Sequence, residues 1–402
     1  MPDALEANAG LDEYVAHGLT HSAKIRAAFE EWSAASERVA QAATLPNPTF
    51  SFGEFLEEVQ TRTGPQRRRF GISQAFPWPG KLGALEDLAD RKAGAAWQRV
   101  EAERLGVVAA IEIAFHEYAF LAKEIGISRE LLDLLIGLES IVQGRVRAGA
   151  GQEDLLRLQV EIGRAEDNLA GFERRRPALS ARLADLMNLD SRRELLPLPT
   201  LSEPEVTTVD TAALHAAAQA NHPGLRELEQ ALAASRSAGD VAGYESRPDL
   251  RVGLDYIQTD AARVAGTPGS GDDPVILSLS MSLPVWGASN SAAEREAEHL
   301  TRALVLQLEA AHSKLRADVE HEAYRVDDAA RRIGLYRMSL IPRAREVLDL
   351  TLISYRAGDA SVLDLIDSER ATLEFELSLW RACREYFQGE ARLKALTGGA
   401  AR

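Results

Sequence analysis

Two kinds of hydrophobic periodicity alternate along the chain. In Leu250-Arg251-Val252-Gly253-Leu254-Asp255-Tyr256 every second residue is apolar. Over Val275–Leu283 the apolar positions Val275, Leu277, Leu279, Met281 and Leu283 interleave with Ser278, Ser280 and Ser282. A period of two marks a strand with one apolar face. A less regular version runs through Phe50, Phe52 and Leu56, then Phe70, Ile72, Gln74 and Phe76. Most of the remaining chain reads as helix. Lys81–Arg145 contains no proline, and its 65 residues would rise roughly 100 Å. Ala288–Ile341 is also proline-free, and Pro342 is expected to kink or offset the helix that follows. An Ala-rich helix of such length cannot bury itself in a compact globule and needs neighbours along its whole length.

The pattern is written twice. Asn47-Pro48-Thr49-Phe50 answers to Arg247-Pro248-Asp249-Leu250, and Phe76-Pro77-Trp78-Pro79-Gly80 to Leu283-Pro284-Val285-Trp286-Gly287. His116-Glu117 answers to His321-Glu322, and Arg147-Ala148-Gly149 to Arg356-Ala357-Gly358. Four landmarks in one order at near-constant spacing define an internal duplication. The first repeat is residues 1–200: a helix (about Leu11–Ala43), a β-hairpin over 48–77, a long helix over 81–145 and a return helix over 152–190. The second is residues 201–402: a helix (about Thr211–Ala242), a hairpin over 248–284, a long helix over 288–355 and a return helix over 360–396. A Pro-rich connector, Leu196-Pro197-Leu198-Pro199 to Pro204, joins them.

Composition narrows the function. Hydrophobic residues make up 46% and charged residues 27%, which is the balance of a folding chain. The 6% aromatic content with abundant alanine suits long helices, so the fold class is mainly α with a small β part. The net charge of −15 repels nucleic-acid phosphates, and no nucleic acid is expected as a partner. The single cysteine, Cys383, excludes an intrachain disulfide. No run approaches the ~18 apolar residues of a spanning helix. Met1–Gly10 is polar and acidic, unlike a signal peptide, so any signal is expected to be absent from this sequence.

Catalytic chemistry is not evident. His116-Glu117 and His321-Glu322 open like a zincin motif, but the second histidine is missing from both. Gly266-Thr267-Pro268-Gly269-Ser270-Gly271 lacks the lysine of a phosphate loop and reads as a flexible connection between strands. The eight histidines and four methionines are scattered without ligand spacing. The chain is therefore expected to be no enzyme, with no cofactor and no metal site.

Two alternating hairpins set between very long helices, all duplicated, resemble the outer-membrane factor (TolC-like) efflux family over essentially the whole chain from Leu11 onward. The resemblance implies a long α-helical barrel of coiled-coil hairpins. It also implies four strands per chain in a trimeric, twelve-stranded transmembrane β-barrel, with the repeats interleaved into one β-barrel, α-barrel and equatorial region. Physics agrees that partners are needed, because four strands cannot close a barrel and open edges are not tolerated in lipid. The function implied is a passive exit duct in the outer membrane, extending into the periplasm. It would be a homotrimer in outer-membrane lipid, served by a periplasmic adaptor (membrane fusion) protein and an inner-membrane pump of the RND type. Drug or solvent efflux, a type I secretion duct, or a soluble coiled-coil scaffold are the alternatives.

Three groups of residues carry the expected roles. Phe76-Pro77-Trp78-Pro79-Gly80-Lys81 looks like the junction motif of the heavy-metal branch, which makes heavy-metal cations the expected cargo. Pro77, Trp78, Pro79, Gly80, Pro284, Trp286 and Gly287 would turn strand into helix at the membrane rim, with the tryptophans at the interface or, on the plainer reading, in the core. At the second helical turn, Asp364 and Asp367 are spaced i, i+3 on one face and would give six pore carboxylates in a trimer, raising one another's pKa. Tyr355 matches the position that latches the closed tip. The family's basic latch residue is replaced by Ala360, and Asp154 lies five residues after Gly149 instead of six. Arg147, Gly149, Asp154, Arg356 and Gly358 mark the tips where an adaptor would dock. Without the resemblance, Asp364 and Asp367 would read as solvated helix acids.

Overall fold

A computed structural model describes residues 9–148, 151–189 and 195–399. Each half carries the same order of elements. The first has α1 (Leu11–His21), α2 (Ala23–Ala42), β1 (Thr49–Gln60), β2 (Pro65–Phe76), α3 (Lys81–Arg147) and α4 (Glu153–Leu186). The second has α5 (Thr211–Asn221), α6 (Pro223–Tyr244), β3 (Leu250–Thr259), β4 (Val275–Met281), α7 (Gly287–Leu335), a π turn (Tyr336–Leu340), α8 (Ile341–Ala357) and α9 (Val362–Leu396).

The chain forms two compact units, each drawing on both repeats: residues 1–28, 100–224 and 311–402, and residues 29–99 and 225–310. The second unit holds the sheet. Its order is β1-β2-β3-β4, every neighbouring pair antiparallel, so β2 and β3 join the two hairpins. The first unit is helical. One apolar cluster gathers Ile111, Tyr118 and Leu121 of α3 with Leu183, Met187 and Tyr14. Another joins Val326 and Ile333 of α7 to Tyr386 and Leu393 of α9. A third packs Leu135 and Val142 of α3 with Leu158, Tyr355, Leu365 and Ile366. By composition, α3 also contains a stretch long and apolar enough to cross a membrane, although more than half of that stretch is buried in the protein.

Four expectations need correction. The opening helix of each half is two helices, broken at Ser22 (φ −59°, ψ 119°) and His222 (φ −64°, ψ 117°). Pro223 forces the second break by disfavouring helix at the residue before it; nothing as explicit marks Ser22. The long helix over 288–355 is not continuous either. Pro342 has no N–H for the Met338 carbonyl, and just before it the ladder widens into the π turn, where the Ile341 N–H reaches back to Tyr336 O. The return helices begin at Glu153 and Val362 and end at Leu186 and Leu396, inside the expected spans of 152–190 and 360–396. Strand β4 has seven residues, shorter than the alternating stretch Val275–Leu283, yet backbone bonds Ile257 N–H to Pro274 O (3.0 Å) and Ser282 N–H to Asp249 O (2.9 Å) carry its pairing further.

Candidate functional site

The sheet is inside-out for a water-soluble protein. Register aligns Phe50, Ile72, Leu254 and Leu277 in one row across all four strands, and Phe52, Phe70, Tyr256 and Val275 in another. Most of these side chains are exposed, Phe50 by 67% and Leu277 by 75%. On the opposite face of β3, Gly253, Asp255, Ile257 and Thr259 are buried while Val252, Leu254 and Tyr256 are exposed. The exposed face of the sheet is thus apolar over two full rows and its covered face is mostly small and polar, the reverse of a sheet in a water-soluble protein. Among the described residues β1 and β4 each pair on one side only.

Where β2 ends, Pro77 and Pro79 withhold backbone donors and Gly80 turns the chain at φ +93°. The turn closes with Lys81 N–H to Trp78 O (3.0 Å) and Ala84 N–H to Gly80 O (3.0 Å). Asp249, from the second repeat, holds it. Its carboxylate accepts from Trp78 N–H (3.0 Å) and lies 3.4 Å from Lys81 Nζ, which also pairs with Glu245 at 3.2 Å. The corresponding junction differs. Pro284 precedes an exposed turn, and Gly287 is simply the first residue of α7, which Ser289 N–H and Asn290 N–H start by bonding Trp286 O. Trp286 is 77% exposed and Trp78 half-buried, so neither is a core tryptophan. Sequence reasoning missed Asp249, although it stands within the Pro248-Asp249 landmark of the duplication.

The helical turns behave differently from one another. Gly149 lies outside the described residues. Arg147 ends α3 exposed, and Asp154 is half-buried in the first turn of α4, where a carboxylate suits the helix N-terminus. Arg356 is exposed in the last turn of α8. Gly358 (φ +90°) terminates that helix as a Schellman cap, with Gly358 N–H to Tyr355 O (3.2 Å) and Asp359 N–H to Ser354 O (2.9 Å). Tyr355 is 3% exposed, and its hydroxyl has no partner among the described residues. The Arg145 guanidinium stacks on the ring. Arg145 was not anticipated, because no local motif ties α3 to a tyrosine in the other repeat.

Asp364 and Asp367 are both exposed on α9. Asp364 also caps the helix: its carboxylate accepts from Ser361 N–H (2.8 Å) and Ser361 Oγ–H (2.7 Å), while its own N–H donates to Ser361 Oγ (3.2 Å). The Ser361 backbone N–H, then the Ser361 hydroxyl, hold its carboxyl below the usual carboxylate range, the reverse of what crowding in a ring would do. Asp367 has a looser neighbour, Arg370 at 3.8 Å, whose guanidinium also bonds Glu161. Among the described residues no group of three or more His, Cys, Asp or Glu is placed to hold a metal ion.

Comparison with known proteins agrees with this geometry. Residues 214–399 match the family model of outer membrane efflux proteins. No curated protein sequence matches the chain. Solved structures do. The outer-membrane channel OprN is similar with a TM-score of 0.82 at 18% identity, covering 100% of this chain and 94% of that one. VceC, an outer membrane protein from Vibrio cholerae, is similar at 0.78 and 18%, covering 98% and 97%. CusC, whose structures concern folding and transmembrane channel formation, gives 0.80 at 15%, covering 100% and 97%. The match to that family model lies in the second repeat, and the whole chain has the fold of these outer-membrane channels.

Proposed function

We propose that three copies of this chain close one twelve-stranded barrel and form the passive exit duct of a tripartite efflux system. The observation that carries this is the sheet: an exposed apolar face in register over four strands, ending in two edges unpaired among the described residues. Exposed strand edges are not tolerated in lipid, and two further copies supply the missing eight strands. Exposed apolar residues on the helices also ask for neighbours: Val347, Leu350 and Ile353 along α8, and Leu156 and Val160 on α4. In this reading the two repeats alternate around the barrel. Tyr355, Asp364 and Asp367 belong to the gate, and the turns bearing Arg147, Asp154, Arg356 and Gly358 receive a periplasmic adaptor coupled to an inner-membrane pump of the RND type.

The proposed cargo is heavy-metal cations, supported by the Phe76–Lys81 junction motif. A duct need not coordinate what passes through it, so the lack of a metal-binding cluster among the described residues leaves this reading open. Purification in detergent followed by mass measurement and planar-bilayer recording tests the duct: trimers with stepwise conductance are expected, and a non-conducting, water-soluble monomer refutes it. Cells expressing the chain with its adaptor and pump separate the cargoes. Restored tolerance to metal salts supports cations, whereas restored tolerance to drugs alone overturns them.

A further inference from the structure

The polar side of the sheet is the lumen wall if the proposed barrel forms, and its charge has the opposite sign to that of the whole chain. Over the paired stretch that wall consists mainly of small uncharged residues, among them Ser51, Ser73, Gly253 and Ser278, with three charged ones. Two neutralise each other. The Arg69 guanidinium donates to both carboxylate oxygens of Asp255, Nε–H to Oδ1 at 3.0 Å and Nη2–H to Oδ2 at 2.8 Å. The third, Arg251, sits on the same face as Asp255 by strand alternation and is exposed. Its guanidinium donates to Ser73 Oγ at 3.4 Å, and among the described residues no carboxylate pairs with it. The rows paired in register thus keep one uncompensated positive charge per chain, within a protein of net charge −15; beyond them, at the hairpin end, alternation adds Glu57 of β1 and Arg67 of β2 to this face, Arg67 being held by Glu58 and Asp260.

We propose that Arg251 is a selectivity-determining residue: three copies ring the barrel lumen and make this section of the duct favour anions. The proposal rests on the trimeric-duct reading. Fixed charges act over about 10 Å in 0.1 M salt, so a ring of three on a barrel wall reaches much of the water column it surrounds. The Arg69–Asp255 pair offers an internal control. Removing Asp255 unmasks a second cation per chain, whereas removing Arg251 leaves the paired rows neutral.

The test is the reversal potential of the full-length channel in a planar bilayer under a KCl gradient. Arg251→Gln is expected to raise the potassium-to-chloride permeability ratio about two-fold. Asp255→Asn should lower it, and Arg251→Lys should keep the wild-type value. Should Asp255→Asn fail to assemble, Arg69→Gln, which unmasks Asp255, is expected to raise the ratio instead. Conducting Arg251→Gln channels with an unchanged ratio overturn the proposal. A wild-type chain that never conducts overturns the duct reading and this inference with it.

Discussion

The guanidinium of Arg145 lies 4.2 Å from the ring centroid of Tyr355 and donates to the carbonyl oxygen of that same tyrosine at 3.0 Å, joining residues 210 positions apart in sequence. A cation over an aromatic face stabilises by about 1 kcal/mol at a partly exposed site. The contact ties the end of α3 to the last turn of α8. If the proposed gate closes at this turn, Arg145→Ala is expected to shift it roughly five-fold toward open, read as higher resting conductance. Tyr355→Phe should behave like wild type, because the hydroxyl has no partner among the described residues. If Tyr355→Phe opened the channel as much as Arg145→Ala, the hydroxyl would be bonding a neighbouring copy, and the local account would be wrong.

Asp364 and Asp367 share a helix face but do different work. Asp364 closes the cap on α9 with Ser361, so its removal frays the helix whatever the pore requires. Its carboxyl is held below the ordinary value near 3.8, so this stabilisation is fully present above about pH 4 and is lost only as pH falls through the lowered value. Hydrogen exchange over residues 361–366 should quicken in Ser361→Ala and Asp364→Ala and stay unchanged in Asp367→Asn. In the proposed duct, selectivity is therefore best read on Asp367→Asn, which should weaken cation preference; an unchanged reversal potential removes Asp367 from the proposed gate.

Gly80 and Gly287 occupy matching places in the duplicated junction yet should respond oppositely to alanine. At Gly80 the backbone is left-handed, and an added Cβ would stand 2.5 Å from the Tyr244 hydroxyl oxygen. The conformation alone costs about 1–2 kcal/mol for an L-residue, and Tyr244 must also move. Gly287 starts a helix with open space around it, where alanine is the better helix former. The melting temperature of the purified protein should fall for Gly80→Ala and stay level or rise for Gly287→Ala. Equal losses would mean that the two junctions are structurally equivalent after all.

What the sequence revealed follows from how local each cause is. Strand β3 was legible because Leu250–Tyr256 obeys a strict alternation that its neighbours on either side preserve in register. The first hairpin was less clear, because β1 shifts register between Glu54 and Val59 and the alternation breaks there. Pro342 announced an offset by its missing N–H, whereas the expected helix over Thr211–Ala242 ran through Pro223, whose crowding of His222 makes the break. Ser22 gave no such warning. Arg145 on Tyr355 and Asp249 on Trp78 join the two repeats, at separations of 210 and 171 residues, and no periodicity encodes a contact of that range.

His116 makes the helical unit sensitive to acid. Its ring stacks on Phe387, centroids 4.4 Å apart and nearly parallel, with Nδ1 buried and without a partner among the described residues. Burial, reinforced by the nearby Lys394 ammonium, pushes its pKa down to about 4. The folded state therefore binds fewer protons than the unfolded chain between about pH 4 and the ordinary value of 6.5. The stability that neutral His116 contributes is complete above 6.5 and declines as pH falls toward 4. Glu124 works the other way, since burial raises its carboxyl and favours the protonated folded form, so the comparison must be made between proteins and not between pH values alone. His116→Phe preserves the stack without a titrating group. Between pH 7 and pH 5 its melting temperature should fall less than that of wild type, by several degrees. Parallel declines in the two proteins would show that the acid sensitivity originates elsewhere.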